Sequence, residues 1–153
     1  MNFNEQKKEF FDRLGENCYM VLATSYNDYP MASTMTCLVF DGKIWMQTDK
    51  KFPKYEQILN NNQVALCKHA TQIEGIAEFC GHPLDKGNEK FVELIKKYHP
   101  ETYRMYSTVN SEVVIKVTPK KAIDWRYEKG DNKIFHFDFE NQKVDIQIYN
   151  NGK

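Results

Sequence analysis

Two runs of β-forming residues, 31–40 (MASTMTCLVF) and 43–48 (KIWMQT), are separated by Asp41-Gly42 alone, and that dipeptide restricts the fold more than any other feature. A two-residue connection closes only an antiparallel hairpin, because a parallel pair needs a crossover of a dozen residues or more. Asp-Gly suits the type I′ turn, whose central residues both take positive φ. The pattern recurs along the chain. A strand at 18–26 (CYMVLATSY) runs into the turn NDYP at 27–30, and strands at 63–69 and 71–80 follow one another closely. Gly75 inside the latter marks a bulge or a close backbone approach. Residues 112–127 read as a long strand, or a strand pair broken at Pro119, and 132–149 alternate as a hairpin turning near Asn141.

Helical spacing appears three times. Residues 4–14 let Phe3, Phe10, Phe11 and Leu14 share one face, with Gly15 placed for a left-handed cap. Residues 53–60 open on Pro53 and carry Tyr55, Ile58 and Leu59. Residues 85–98 align Phe91, Leu94, Ile95 and Tyr98, and Pro100 closes them. Six to eight strands on short turns, with three helices, specify a mainly β chain. It is an antiparallel barrel or sandwich with helices at its edges.

The 153 residues suit a single domain, 1–153, with no repeat or linker. Lys+Arg and Asp+Glu both total 21, a balance that argues against general nucleic-acid binding. No apolar run approaches the ~20 residues of a membrane span. The start, MNFNEQKKEFFDRLG, lacks a signal-peptide core, so the expected setting is cytoplasmic, with no membrane partner. Cys18, Cys37, Cys67 and Cys80 show neither CxxC nor zinc spacing and read as small buried hydrophobes. His69, His82, His99 and His136 are equally scattered, so no metal is expected. GxGxxG, GxxxxGK[ST] and GxSxG are all missing.

One conflict stands out. Lys50, Lys51 and Lys54 surround the start of the helix at Pro53. A helix amino end carries roughly half a positive charge, which repels cations. Either these lysines point into water, the usual fate of charge clusters, or they hold an anion. In the second case the helix N–H groups, Lys51, Lys54 and the Thr48 hydroxyl make a phosphate site. The strand at 31–40 offers a second feature. Ala32, Ser33, Thr34 and Thr36 are small or hydroxylated, which lets a flat ligand reach the backbone or lets another element pack closely.

LAT at 22–24, the turn ending in Pro30 and the DG hairpin come first in an ordered series. Thr48 with Lys51 and Lys54, NNNQVAL at 60–66 and IEGIAE at 73–78 complete it. Over roughly residues 18–80 this series resembles the pyridoxamine 5′-phosphate oxidase-like, FMN-binding split β-barrel proteins. The resemblance implies a six-stranded antiparallel Greek-key split β-barrel with flanking helices, holding FMN. Ser33, Thr34, Met35 and Thr36 would then flank the isoalloxazine. Gln47, Thr48, Lys51 and Lys54 would face the ring edge, ribityl chain or phosphate. A homodimer with flavin at the subunit interface is implied as well.

The function to expect is that of an FMN-binding, flavin reductase-like oxidoreductase acting on a small molecule, with NAD(P)H a candidate electron donor. The vitamin B6 oxidases proper open the second strand with arginine, where this chain has Ala32. They also carry a C-terminal Arg-and-His segment that FHFDFENQKVDIQIYNNGK does not match, Trp125-Arg126 being a faint echo. Pyridoxamine phosphate oxidation is therefore not expected. The alternatives are a flavin- or haem-binding storage or sensor protein without turnover, and a deazaflavin-dependent reductase. Flavin carries its own hydride chemistry, so no catalytic acid or base is nominated.

Overall fold

The antiparallel pairing required by Asp41-Gly42 is present in the computed structural model, which describes residues 2–149. Met1 and residues 150–153, the ends of the expected 1–153 domain, lie outside the described residues. β2 (Tyr29–Phe40) and β3 (Lys43–Asp49) pair with Phe40 opposite Lys43. Asp41 and Gly42 take φ of 54° and 67°, as a primed turn requires. Asn27 and Asp28, at 51° and 60°, join β1 (Asn17–Tyr26) to β2 in the same way.

After β3 the chain forms α2 (Pro53–Asn60), and β4 (Gln63–Lys68) then returns beside β1. The spatial order β4-β1-β2-β3 is a Greek key. β5 (Thr71–Phe79) lies beside β4. α3 (Glu89–Tyr98), a short α4 (Pro100–Thr102) and a π-helical turn at Tyr103–Ser107 then lead to β6 (Glu112–Glu128). The first half of β6 pairs with β3 on one side and β5 on the other, which closes six antiparallel strands into a barrel. Its second half continues outward to pair with β7 (Asp131–Asp138), which pairs with β8 (Lys143–Tyr149). The fold is mainly β with flanking helices, as the split-barrel expectation has it. No helix among the described residues is long and apolar enough to cross a membrane.

Strand alternation fills the barrel. Met20 and Leu22 of β1, Cys37 of β2, Ile44 and Met46 of β3, Leu66, Ile73 and Ile115 are all buried in one core. α1 (Phe3–Leu14) is capped by Asn2 Oδ1, which accepts from the Asn4 N–H at 2.8 Å. The helix drives Phe10 into contact with Phe137 and Phe139, at ring separations of 5.0 and 5.6 Å. α3 covers the outer face, where Phe91, Leu94 and Ile95 meet Leu38 and Val114.

Several expectations need correction. The third helix starts at Glu89, not 85. Asp85 accepts the His82 N–H, and Asn88 donates to the carbonyls of Cys80 and His82, so these side chains hold a loop where a helix would need them free. Pro100 follows the end of α3 but also opens α4, and the π-helical turn has no counterpart in the sequence reading. β6 is one strand across Pro119. The register shifts there, with Gly75 opposite Pro119 and Glu74 opposite Lys121, so the proline sits at a bulge. Gly15 has φ 79° but ψ 163°, so it ends α1 without a left-handed helical conformation. Of the cysteines, Cys18 and Cys37 are buried, Cys80 is half-buried and Cys67 is exposed on the outward side of β4. Burial pushes the Cys37 thiol up to about 12.

The sequence predicts a bulge or a close approach at Gly75, and both occur. A Cβ there would lie 2.7 Å from Val117 Cγ1 and 2.8 Å from the Thr118 carbonyl oxygen. Backbone cannot yield as a flexible side chain can, so Gly75→Ala is expected to destabilise the barrel by about 1–3 kcal/mol. Urea unfolding checks this as a lowered midpoint at constant slope. An unchanged midpoint would show that β5 and β6 tolerate the extra methyl.

Candidate cofactor site

β2 presents its candidate residues on two faces. Opposite Ser33 and Met35 stand Leu22 and Met20, both buried, so this parity faces the barrel interior. Thr34 and Thr36 lie opposite Val21 and Tyr19, which are exposed, so they belong to the outer surface. The strand therefore divides the four residues in two.

α2 covers the end of the barrel where Ser33 and Met35 emerge. Pro53 supplies its first turn, and Phe52 at the N-cap offers no side-chain acceptor to the free N–H groups. Lys54 is half-buried. Its Nζ lies 3.6 Å from Met35 Sδ and 5.8 Å from the Phe52 ring centroid. Ser33 Oγ lies 3.7 Å from the same sulfur. Ser33, Met35 and Lys54 are thus brought together, and Ser33 and Lys54 line a cleft of about 170 Å³ with Ala32, Phe52 and Pro53. Lys54 makes no salt bridge among the described residues, and burial lowers its pKa.

The other candidates take different positions. Thr48 is buried at the inner end of β3, on the parity of Ile44 and Met46. Lys51 is exposed, and its N–H donates to Asp49 Oδ1 at 2.9 Å. That hydrogen bond, ahead of the charge on Lys51, holds the Asp49 carboxyl below its usual range. Gln47 faces outward, away from the cleft. Its Nε2 donates to Glu112 Oε1 at 2.7 Å, and its Oε1 accepts from Ser107 Oγ at 2.8 Å. Burial raises the Glu112 carboxyl above its ordinary range, against the opposing hydrogen bond from Gln47. The π-helical turn delivers Ser107 to this network, which explains its presence at a buried polar contact.

Two positioning residues escaped the sequence reading. Thr24 Oγ1 donates to Gln57 Oε1 at 2.5 Å, and Gln57 Nε2 donates to the Tyr29 carbonyl at 2.9 Å. Both side chains are buried, and together they tie α2 to the β1–β2 hairpin, which sets Lys54 beside Ser33. Asn61 adds a tie, donating from Nδ2 to the Ser25 carbonyl at 2.9 Å. Thr24 could have been noticed as the polar member of an inward series with Met20 and Leu22. Gln57 carries no such mark, because a glutamine on a short helix is ordinarily solvated.

A family model described as pyridoxamine 5′-phosphate oxidase matches residues 5–126. No curated protein sequence matches the chain. Among solved structures, General Stress Protein 26 from Bacillus anthracis str. Sterne is similar at 21% identity, covering 77% of this chain and 92% of that one, with a TM-score of 0.59. The haem storage protein HutZ from Vibrio cholerae is similar at 13% identity, covering 78% and 91%, with a TM-score of 0.60. A FAD-binding protein from Mesorhizobium loti is similar at 12% identity, covering 75% and 90%, with a TM-score of 0.59. At these identities the likeness extends to the fold.

Proposed function

Because this chain belongs to the pyridoxamine 5′-phosphate oxidase family, we propose that it is an FMN-binding oxidoreductase of the flavin reductase kind. It works as a cytoplasmic homodimer on a small-molecule substrate, with NAD(P)H as electron donor and residues 1–153 as one domain. The observation that carries this reading is Lys54. A half-buried ammonium without a carboxylate partner among the described residues sits beside a serine hydroxyl, at a helix start that lacks a side-chain cap. That donor set fits a phosphate monoester, which would offset the desolvation of the lysine and meet the helix N–H groups.

In this reading Lys54, Lys51 and Thr48 hold the phosphate end and Ser33 to Thr36 border the ribityl chain and ring, whereas Gln47, expected there from the sequence, is turned from the cleft toward Glu112 and Ser107. The cleft of about 170 Å³ is smaller than the roughly 300 Å³ at which small-molecule pockets begin. One protomer therefore supplies part of the site, and a second copy against the outer face bearing Thr34, Thr36, Tyr19 and Val21 completes it. When bound, the flavin supplies the hydride chemistry. The chain's own residues bind and orient it: Lys54 neutralises the phosphate, and Gln57 with Thr24 keeps α2 in register. Among the described residues Lys54 is the one titratable side chain lining the cleft, so proton transfer falls to solvent or substrate. Ala32 stands where the vitamin B6 oxidases carry an arginine, so the proposed substrate is not pyridoxamine phosphate.

Mass spectrometry of the ligand released from purified protein tests the proposal. FMN is the expected mass, and haem or a deazaflavin would replace the cofactor assignment. Added FMN should raise the melting temperature in a concentration-dependent way, because a ligand bound only to the folded dimer stabilises it by mass action. A melting curve indifferent to saturating FMN would reject the site. Bleaching of the bound flavin by NAD(P)H separates an oxidoreductase from a passive binder.

A further inference from the structure

We propose that Asp49 and Glu112, directly opposite each other on the last rung between β3 and β6, form a proton-operated latch. The latch holds the root of the turn at 50–52 closed when Glu112 carries a proton, and loosens it when both carboxyls are charged. That turn joins β3 to α2 and carries Lys51. The latch is built from contacts within this chain and does not depend on the flavin reading.

Antiparallel partners share a face of the sheet, with Cβ atoms about 4.5–5.5 Å apart, and like charges placed there repel. Glu112 cannot relieve the repulsion by turning to water, because it is 6% exposed. Among the described residues it makes no salt bridge, and its side chain accepts from a neutral amide, Gln47 Nε2 at 2.7 Å. Gln47 is held in that orientation, since its Oε1 accepts from the buried Ser107 hydroxyl at 2.8 Å. His82, in the loop before α3, is the other titratable group facing Glu112. Its Nε2 and the Glu112 N–H both meet the Val109 carbonyl, at 2.8 and 3.1 Å. Its Nδ1 accepts the Leu84 N–H at 3.1 Å, so these contacts describe the neutral ring. Lys50 and Lys51, on the turn, are exposed. A buried carboxylate that faces a second carboxylate and has no cation beside it is costly in its charged form.

The two carboxyls are pushed apart in acidity. Burial raises Glu112, and the charge on Asp49 adds to it, against the Gln47 hydrogen bond and His82. Asp49 is held low, chiefly by the Lys51 N–H. The first proton therefore goes to Glu112. A carboxyl raised in the folded chain binds its proton there before the unfolded chain does, so stability rises as pH falls from neutral through the Glu112 titration. The gain ends where Asp49 begins to take a proton, because the stability of a lowered carboxyl is lost as pH falls through it. Three backbone contacts feel the state of this rung. The Lys50 N–H donates to the Ser111 carbonyl at 2.9 Å, the Lys51 N–H to Asp49 Oδ1 at 2.9 Å and the Phe52 N–H to the Asp49 carbonyl at 3.0 Å.

NMR of the ligand-free, full-length protein tests the latch, with side-chain carboxyl shifts and amide protection factors followed together from about pH 4 to about pH 8. Glu112 is expected to titrate above the ordinary glutamate value of about 4.3. Protection of the Lys50 amide should fall about two- to fivefold as pH rises through that midpoint, the effect of one like-charge rung. Glu112→Gln is neutral at every pH and can still accept from Gln47. It should keep the Lys50 protection constant, exceed the parent in stability at neutral pH and match it in acid. A Glu112 midpoint at or below the ordinary value would overturn the proposal. So would Lys50 protection that follows the His82 imidazole instead of the Glu112 carboxyl, or that changes with pH equally in Glu112→Gln.

Discussion

Replacing Lys54 with alanine is expected to weaken FMN binding about 10- to 150-fold, the equivalent of ~1.5–3 kcal/mol for one charge-assisted contact. The effect should exceed that of a typical surface lysine because Lys54 is half-buried between Met35 and Phe52 and no carboxylate among the described residues pairs with it. Lys86→Ala is the control, since Lys86 is exposed in the loop before α3. A pH titration adds a second readout. Burial lowers the pKa of Lys54 in the free protein, whereas a bound phosphate would favour the charged form. FMN affinity should therefore fall as pH rises through the Lys54 titration, and that fall should vanish in Lys54→Ala. Superimposable FMN titrations for the two alanine variants would return Lys54 to the status of an ordinary surface cation.

Asp124→Ala is expected to cost about 3–5 kcal/mol of stability, because it strands a buried guanidinium. Arg126 is 4% exposed, its Nε bonds Asp124 at 2.7 Å, and its guanidinium lies 3.9 Å from the Phe135 ring centroid. Among the described residues Arg126 Nη2 is already buried without a hydrogen-bond partner, and the one other carboxylate at the guanidinium, the half-exposed Glu9 at 3.6 Å from Nη1, offsets only part of the loss. Thr71 Oγ1 would lose its acceptor as well. The double replacement Asp124→Leu with Arg126→Met removes both charges and should recover much of the loss, since an apolar pair of similar volume avoids the desolvation. Urea unfolding of the single and double variants measures both. A single variant within about 1 kcal/mol of the parent would mean that water reaches Arg126 and the pair is not a buried one.

The candidate cofactor site and the barrel were legible to different degrees. Asp41-Gly42 determined one antiparallel hairpin, because a two-residue connection leaves the backbone few alternatives, whereas the turn expected over 27–30 closes at Asn27-Asp28, with Tyr29 and Pro30 already paired in β2. Alternation then determined which residues of each strand face inward, so the core around Met20, Leu22, Ile44 and Met46 could be read from period alone. The lysines around Pro53 posed the question of an anion without a structure. The close approach at Gly75 was likewise visible in the letters.

Only the tertiary structure decided what those lysines face. Lys54 and Lys51 are three residues apart, yet one is half-buried in a cleft and the other is exposed beside Asp49, because the packing of α2 onto the barrel end sets each environment. That packing depends on Thr24 and Gln57, which are 33 residues apart and carry no local sign of their contact. Gln47 was paired with Ser107 and Glu112 by the closure of β3 against β6, and closure is a long-range event that no window of sequence reports. Pro119 breaks strands in general, yet here the bulge opposite Gly75 absorbs it, and a partner strand's register is invisible from the strand alone. Periodicity is a local property of the chain and survives in the sequence. Which face meets which partner depends on contacts between distant segments, and those exist only once the barrel has closed.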